Sequence, residues 1–258
     1  MTQTRWKGDY LFVLENLVLK DFRIRYRNMS LGILWSLINP LVMMGVLTFI
    51  FGHVYGNQQP PYFPLFILCG QIPYLFFTAA LLSGTVSVVV NAPLVKRVPL
   101  PREIIPVAAV LSNCVHLAIQ VALMLALTFY YRLEPSWFWL WLLPLWMLYI
   151  AFVCGVSLLS SAVSVFIRDT QYVVESFNVV LFWLVPIFYS WEAIPQKYAA
   201  IYRVNPVAAL ALAMRNILID RQSPPQTLIV NMVIAAAVAL ALGLIVFGKL
   251  KRRFYEYI

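Results

Sequence analysis

Residues 28–95 contain no aspartate, glutamate, lysine or arginine. The residues just before this stretch are basic, at Lys20, Arg23, Arg25 and Arg27. Soluble domains carry about 25% charged residues throughout their length, so a charge-free stretch this long does not fit a soluble core. An apolar helix of about 20 residues crosses a bilayer. The stretch therefore predicts membrane crossings, and the basic cluster predicts that the chain enters them from the cytoplasmic side.

The composition of the whole chain extends this prediction. The 258 residues are 62% hydrophobic and only 11% charged, which predicts an all-α polytopic membrane protein. Strands of a membrane β-barrel would alternate apolar and polar residues, and these apolar runs do not. Cys69, Cys114 and Cys154 all lie inside apolar runs, which indicates packing rather than a disulfide framework or a metal site.

Six charge-poor runs are long enough to cross a bilayer as helices. We expect residues 1–31 to form a cytoplasmic interface segment and residues 32–258 to form the membrane domain, with a cytoplasmic tail at 249–258. The predicted spans are about 32–53, 64–91, 104–131, 137–166, 172–191 and 227–248.

The distribution of basic residues orients this bundle. With both termini in the cytoplasm, the inner segments hold all but five of the 19 lysines and arginines. The five in the outer segments are Arg132, Lys197, Arg203, Arg215 and Arg221. Because cytoplasmic loops of membrane proteins are enriched in basic residues, this orientation is the predicted one. The net charge of +9 is thus explained by topology and does not indicate nucleic-acid binding.

Residues 10–27 have helical periodicity but too little apolar length to span. Leu11, Leu14, Val18 and Phe22 fall on one helical face, and Asn16, Lys20, Arg23 and Arg27 fall on the opposite one, while Arg25 lies off the pattern. A basic amphipathic helix of this kind lies in the membrane interface, against lipid headgroups or an acidic partner surface.

Residues 192–221 predict short re-entrant helices on the outer side, between the fifth and sixth spans. Glu192 to Pro195 and the pair Asn205-Pro206 interrupt the segment, leaving a piece of about 13 residues that is too short to cross. Non-helical backbone at membrane depth survives only where protein or water covers it. A packed outer loop and an outer gate remain equally open interpretations.

The predicted spans offer little chemistry of their own. Ion-driven transporters bury ionisable residues in their spans, whereas here the nearest carboxylate is Glu175, close to the start of the fifth span. His116 in the third span is interpreted as a hydrogen-bonded packing residue rather than a proton relay. No catalytic arrangement, metal-ligand spacing or phosphate-binding glycine loop is recognisable. We therefore expect no enzyme activity, no metal and no cofactor in this chain, and a partner that supplies energy.

Several segments, taken in order, resemble the type-2 ABC exporter permeases for polysaccharides, the membrane subunits that export O-antigen, teichoic acid and capsule-type glycans. The resemblance extends over essentially the whole chain. It is carried by residues 19–40, 68–73, 91–103, 165–172, 185–189 and 203–206.

This resemblance implies a homodimer in the bacterial inner membrane that binds two cytoplasmic ATPase subunits, which hold ATP and Mg²⁺, and a lipid-linked polysaccharide. It implies that residues 10–27 form an interface helix, residues 93–102 a coupling element, and residues 192–219 gate helices. The residues expected to couple to the ATPase are Lys20, Arg23, Arg27, Pro93, Lys96, Arg97, Pro99, Arg102, Arg168 and Asp169. The outer-gate residues are Glu192, Pro195, Asn205 and Pro206.

The same resemblance implies a channel between two protomers, lined by the first, second and fifth spans. Sugar rings have apolar C–H faces that pack on aromatic rings, and the chain is 15% aromatic. A helical wheel of the fifth span places Phe177, Phe188 and Trp191 on one face. Together with Phe76 and Phe77 of the second span, they are the candidate channel-lining residues.

Three other functions compatible with this composition remain open. The same architecture could export a small hydrophobic drug or lipid. A membrane-embedded enzyme acting on lipid-linked sugars would need membrane-facing carboxylates or a conspicuous polar loop, and the chain lacks both. A structural anchor that only recruits a partner would not need the broken outer segment.

Overall fold

In a computed structural model of the protein, the described residues are 8–27, 30–54, 60–98 and 100–257, and they form helices and connections without strands. The prediction of an all-α polytopic protein is thus confirmed for this part of the chain. The helices are α1 (Tyr10–Tyr26), α2 (Trp35–Phe49), α3 (Phe63–Val90), α4 (Ala92–Arg97), α5 (Ile104–Tyr130), α6 (Leu142–Ser164), α7 (Thr170–Leu184), α8 (Ala199–Val204), α9 (Pro206–Leu218), α10 (Gln226–Leu250) and α11 (Phe254–Tyr257).

Polar caps and prolines set several helix ends. The Asp9 carboxylate accepts hydrogen bonds from the first backbone N–H groups of α1, as an N-cap does. Asn205 caps α9 in the same way, and Pro206 occupies its first position, where a missing N–H costs nothing. At the end of α7, Val185 is extended because the following Pro186 disfavours the helical conformation in the residue before it.

Five helical segments of the described residues are long and apolar enough to cross a membrane. They are Gly32–Val54, Phe63–Val90, Ile104–Tyr130, Trp137–Ser164 and Gln226–Tyr257. The predicted fifth span, 172–191, is not one helix, since α7 has 15 residues and rises only about 22 Å. The chain continues from Leu184 in non-helical backbone, so a sixth crossing stays a prediction.

Helix α3 is the centre of the bundle and packs on α5, α6, α7 and α9. Beside it, α6 and α10 approach each other most closely at two glycines. A Cβ on Gly243 would lie 2.3 Å from the Gly155 carbonyl oxygen, and one on Gly155 would lie 2.4 Å from the Ala239 backbone. Small residues at membrane helix crossings allow this close approach, on which the packing of spans in lipid depends.

One end of the bundle is held together by an apolar cluster that joins both ends of the chain. Leu17 of α1 and Phe254 of α11 belong to it, together with Val88 of α3 and Val95 of α4. The buried face of α1 is centred on Leu17, whereas Leu11 is 74% exposed. Leu14 and Val18 of the predicted apolar face pack on the same cluster, whereas Leu11 does not, and α1 packs along α5.

Candidate functional site

The spans around α3 carry polar side chains at helical spacing. In the fold these side chains line the same two cavities. On α5, Asn113, His116 and Gln120 are three or four residues apart and share one face. Polar residues inside spans face the bundle interior or a cavity, because hydrocarbon offers no hydrogen bonds. The matching residues on the other helices are Ser36 and Asn39 on α2, Gln71, Tyr74 and Thr78 on α3, and Glu175 and Asn178 on α7.

These side chains line two adjoining cavities of about 520 and 380 Å³, which share Asn39 and Leu75. The larger cavity holds most of the polar side chains and is bordered by Arg25 and Tyr26 at the C-terminal end of α1. The smaller one lies farther from α1 and is lined by Phe182 and Trp183 of α7. We call the two cavities together the α2–α3–α7 groove. It combines a polar part with an aromatic part, and the two follow each other along α3.

A hydrogen-bonded cluster joins α1, α2 and α5 at the polar part of the groove. The Tyr26 hydroxyl lies 2.9 Å from the Ser36 hydroxyl, and Ser36 lies 2.8 Å from His116 Nδ1. Tyr26 also contacts His116 directly. The Gln120 amide donates to the Ser36 carbonyl at 3.3 Å. His116 is thus a hydrogen-bonded residue of the cavity wall, in line with the packing role expected for it.

Arg25 brings a positive charge to the same wall. Its guanidinium donates to Asn113 Oδ1 at 2.7 Å, and the Asn113 amide donates to Ser83 of α3 at 2.8 Å. Burial lowers the pKa of the Arg25 guanidinium, against opposing effects of Tyr26 and Asp21. An arginine nevertheless stays protonated under physiological conditions. The residue that lay off the amphipathic pattern is therefore the one that α1 directs into the groove.

Helix α7 forms the opposite boundary of the groove with polar and aromatic groups. The Tyr74 hydroxyl donates to the Asn178 carbonyl at 2.9 Å, which links α3 to α7. Glu175 accepts a hydrogen bond from Gln171 at 3.1 Å. Within the described ranges Glu175 and Arg25 form no ion pair, although both line the larger cavity. The groove therefore presents separate charges of both signs.

A buried arginine connects α9 to the end of the bundle at which α3 begins. Arg215 is 4% exposed, and its guanidinium donates to backbone carbonyls of Phe66, Pro186, Ile187 and Tyr189. It also lies 3.4 Å from the centre of the Phe66 ring. These carbonyls belong to the first turn of α3 and to the non-helical segment after α7. Arg215 therefore satisfies backbone groups that the broken helix leaves without partners.

The described residues were compared with the side-chain groups that bind metal ions. No group of three or more histidine, cysteine, aspartate or glutamate residues there could hold a metal ion. The groove residues are amides, hydroxyls, one imidazole and two separated charges. Such groups can bind a polar ligand through hydrogen bonds.

Comparisons with known proteins decide the family. The model of the ABC-2 type transporter family matches residues 14–219. The chain belongs to the ABC-2 type transporter family. It is similar to the O-antigen export system permease protein RfbA of Klebsiella pneumoniae, with 31% identity over 249 residues, or 96% of this chain and 94% of that one.

Two further relatives are more distant. The O-antigen export system permease protein RfbA of Myxococcus xanthus is 25% identical over 252 residues, covering 97% of this chain and 96% of that protein. The polysialic acid transport protein KpsM of Escherichia coli is 26% identical over 196 residues, covering 75% and 76%. The resemblance to type-2 ABC permeases is confirmed. The chain is the transmembrane permease subunit and not the catalytic one, since in this family the ATPase is a separate subunit.

Most of the residues expected to couple the permease to an ATPase are exposed near the end of the bundle where the chain termini lie. Pro99 lies outside the described residues. Those that expose their side chains are Arg23 and Arg27 on and after α1, Pro93, Lys96 and Arg97 on α4, and Arg168 and Asp169 between α6 and α7. A partner can reach these side chains without any change within the protomer.

Two of the expected coupling residues are engaged inside the protomer instead. Lys20 donates to Asn91 at the end of α3 at 2.5 Å and pairs with Asp21 at 3.2 Å. Arg102 donates to the Lys251 carbonyl and lies 4.2 Å from the Tyr255 ring centre. These contacts hold α1 and α11 against the bundle. Lys20 and Arg102 therefore stabilise the packing of the permease in addition to carrying positive charge.

The aromatic residues expected to line a channel of the permease are not brought together. Phe76 and Phe77 are each 3% exposed and pack on aromatic residues of α6, but Phe76 also lines the larger cavity of the groove, whereas Phe77 does not. Phe177 is 50% exposed on α7. Because α7 ends at Leu184, Phe188 and Trp191 do not continue its face, which corrects the helical-wheel argument. Phe188 stacks on Phe51 at 4.9 Å, and Trp191 lies under Arg203.

The expected outer-gate residues mark the ends of short helical pieces. Glu192 lies in a single 3₁₀ turn, and the Pro195 carbonyl accepts from Tyr198 at 2.9 Å. Asn205 caps α9 and donates to the Leu184 carbonyl at 3.5 Å. Helix α9 itself is buried almost along its whole length. Helix α9 is therefore packed into the permease and held by Arg215 and Asn205, whereas Glu192 and Pro195 are exposed.

Sequence reasoning missed the groove and Arg215. The sequence signal for the groove is the helical spacing of polar residues within apolar runs. Asn113, His116 and Gln120 are an example. Arg215 was assigned to the outer side by its position between the fifth and sixth predicted spans. A Cβ on Gly70 would lie 2.9 Å from the Ile187 Cα and 3.2 Å from Arg215 Nη2, so a glycine there lets both approach α3 closely.

Proposed function

We propose that this permease forms the membrane path of an ATP-driven exporter of a lipid-linked polysaccharide. It works as a homodimer in the bacterial inner membrane, with both termini in the cytoplasm and with two ATPase subunits that bind ATP and Mg²⁺. The names of the relatives, O-antigen export permease and polysialic acid transport protein, support this substrate class.

The observation that carries the proposal is the α2–α3–α7 groove. Its larger cavity offers donors and acceptors from Arg25, Asn39, Glu175 and Asn178, which suit a ligand rich in hydroxyl groups. Its smaller cavity offers aromatic rings, on which the C–H faces of sugars pack. The helices α2, α3 and α7 that border it correspond to the first, second and predicted fifth spans, which were expected to line a channel between two protomers. Helices α1 and α5 border the larger cavity as well.

The transmission of work would begin at the exposed basic residues of α1 and α4. An ATPase that moves α1 also moves Arg25 and Tyr26, which are part of the groove wall. The opposite wall is connected through α7 to the segment at 185–198 and so to α9. In this proposal Glu192, Pro195, Asn205 and Pro206 bound the pieces that open on the outer side.

The decisive experiment is reconstitution of the permease with its ATPase in vesicles. We expect the complex to contain two copies of each chain and its ATP hydrolysis to rise with lipid-linked polysaccharide extracted from the source bacterium. Stimulation by hydrophobic drugs, with no response to the polysaccharide, would favour the drug or lipid exporter. Turnover of a lipid-linked sugar by the permease alone would favour an enzyme, and normal glycan display without this chain would favour an anchor.

A further inference from the structure

Two groove residues carry buried oxygen atoms without a hydrogen-bond donor. Gln71 is 2% exposed and Asn178 is 8% exposed, and neither side-chain oxygen has a partner in the described part of the chain. The other enclosed polar atoms of this kind lie outside the groove, on Thr48, Ser136, Trp146 and Ser157. Buried acceptors in proteins are almost always paired, so an unpaired one calls for a donor from elsewhere.

The two residues line the two adjoining cavities, Gln71 of α3 the smaller one and Asn178 of α7 the larger one. Gln71 lies one helical turn from Tyr74 on α3, so the two share a face of that helix. The Tyr74 hydroxyl donates to the Asn178 backbone carbonyl on α7 at 2.9 Å. Asn178 also interrupts the stripe by which α7 packs, between the buried Val174 and Leu181. An amide at this position costs packing and desolvation that an apolar residue would not.

The need for a hydrogen-bond donor limits which ligands could pair with Gln71 and Asn178. An acyl chain has no hydrogen-bond donor, whereas a sugar ring carries several hydroxyl donors. Phe182 and Trp183 supply apolar surface in the smaller cavity, which Gln71 also lines. We propose that Gln71 and Asn178 form a hydroxyl-binding subsite for the sugar units of the exported chain and so contribute to its selection. This inference rests on the proposed function and refines it.

The subsite predicts a specific effect on substrate response. Gln71→Leu and Asn178→Leu each remove an acceptor and fill its place with apolar volume. Loss of one neutral hydrogen bond weakens binding by about two- to tenfold. We therefore expect each variant to raise the concentration of polysaccharide that half-stimulates ATP hydrolysis by that factor. The unfolding temperature should stay the same or rise, because an unpaired acceptor has been removed.

The test uses the reconstituted complex and lipid-linked polysaccharide from the source bacterium. Thr128→Val is the matched control, since Thr128 is a fully buried polar residue of α5 that bonds its own helix outside the groove. It should respond as the wild type does. Unchanged half-stimulating concentrations in both leucine variants would overturn the subsite while leaving the proposed function standing. Dissociation of the dimer in these variants would overturn it too, since the donors would then come from the second copy. A wild-type complex that ignores the polysaccharide would overturn the proposed function and the subsite together.

Discussion

The Arg25 guanidinium donates a 2.7 Å hydrogen bond to Asn113 Oδ1, across 88 residues of chain. This contact joins the last turn of α1, which lies outside the spans, to the middle part of α5, which lies within them. Arg23, two residues earlier on the same helix, is exposed. A motion of α1 would therefore reach the groove through Arg25 and not through Arg23.

Replacing Arg25 should uncouple ATP hydrolysis from export. Arg25→Leu leaves the Asn113 oxygen without its charged donor, a loss of about 1.5–3 kcal/mol for a hydrogen bond to a charged group. We expect export in cells to fall at least several-fold while the reconstituted complex still hydrolyses ATP. Arg23→Leu is the matched control and should retain the export-to-hydrolysis ratio. Equal losses of this ratio in both variants would show that the contact has no special role.

Replacing Arg215 should destabilise the outer end of the permease. Arg215→Met keeps much of the side-chain volume but leaves the carbonyls of Pro186 and Ile187 without their donor. Each buried unpaired group costs about 1–3 kcal/mol, so the free energy of unfolding should fall by at least about 2 kcal/mol. The measurement is thermal unfolding in detergent. Arg203→Met, which removes a more exposed cation beside Trp191, should change little, and a similar fall for both would contradict the assignment.

Reversing the charges on α4 should weaken the connection to the ATPase. Lys96→Glu with Arg97→Glu changes two exposed side chains, so insertion and folding should be preserved. We expect less ATPase to co-purify with the permease and export to fall. Lys197→Glu, an exposed charge reversal in the segment after α7, should have neither effect. Normal co-purification and export in the double variant would argue against a coupling role for α4.

The orientation of the bundle can be read by labelling single cysteines in a cysteine-free background. Arg168→Cys and Glu134→Cys both lie in exposed connections, at opposite ends of α6. In spheroplasts, an impermeant maleimide should label residue 134 and not residue 168, and inside-out vesicles should give the reverse. The opposite pattern would invert the proposed topology.

The glycine crossing of α6 and α10 predicts unequal effects at two positions of one helix. Gly243→Ala places a Cβ 2.3 Å from the Gly155 carbonyl oxygen, so the helices must separate, at a cost of about 1–3 kcal/mol. Gly248→Ala meets nothing within 4 Å and should be neutral or stabilising by about 0.5–1 kcal/mol. Thermal unfolding of the two variants compares these effects directly, and equal melting temperatures would argue against the crossing.

Local features explain why so much of the architecture follows from the sequence. A long run of apolar residues without charges is stable in the hydrocarbon of a membrane. In hydrocarbon a helix forms all of its backbone hydrogen bonds within itself. The cap at Asn205 and the stop at Pro186 also act within a few residues of chain. Pro186 acts on Val185 in the same local way, so that α7 ends inside the apolar run that predicts the fifth span.

The environment of individual polar groups could not be assigned in this way. Arg25 and Arg23 have the same chemistry and neighbouring positions, yet one is hydrogen bonded in the groove and the other is exposed. Phe76 and Phe77 are consecutive and both pack on α6, yet of the two only Phe76 lines the groove.

The sequence by itself thus determined the solvent, the helical class, the family and the ends of several helices, because these depend on composition and on short-range chemistry. Only the tertiary structure decided which polar stripes face each other, which arginine is buried and where an acceptor lacks a donor. Those features depend on how α1, α5 and α7 pack around α3. That packing is determined jointly by residues far apart in the chain.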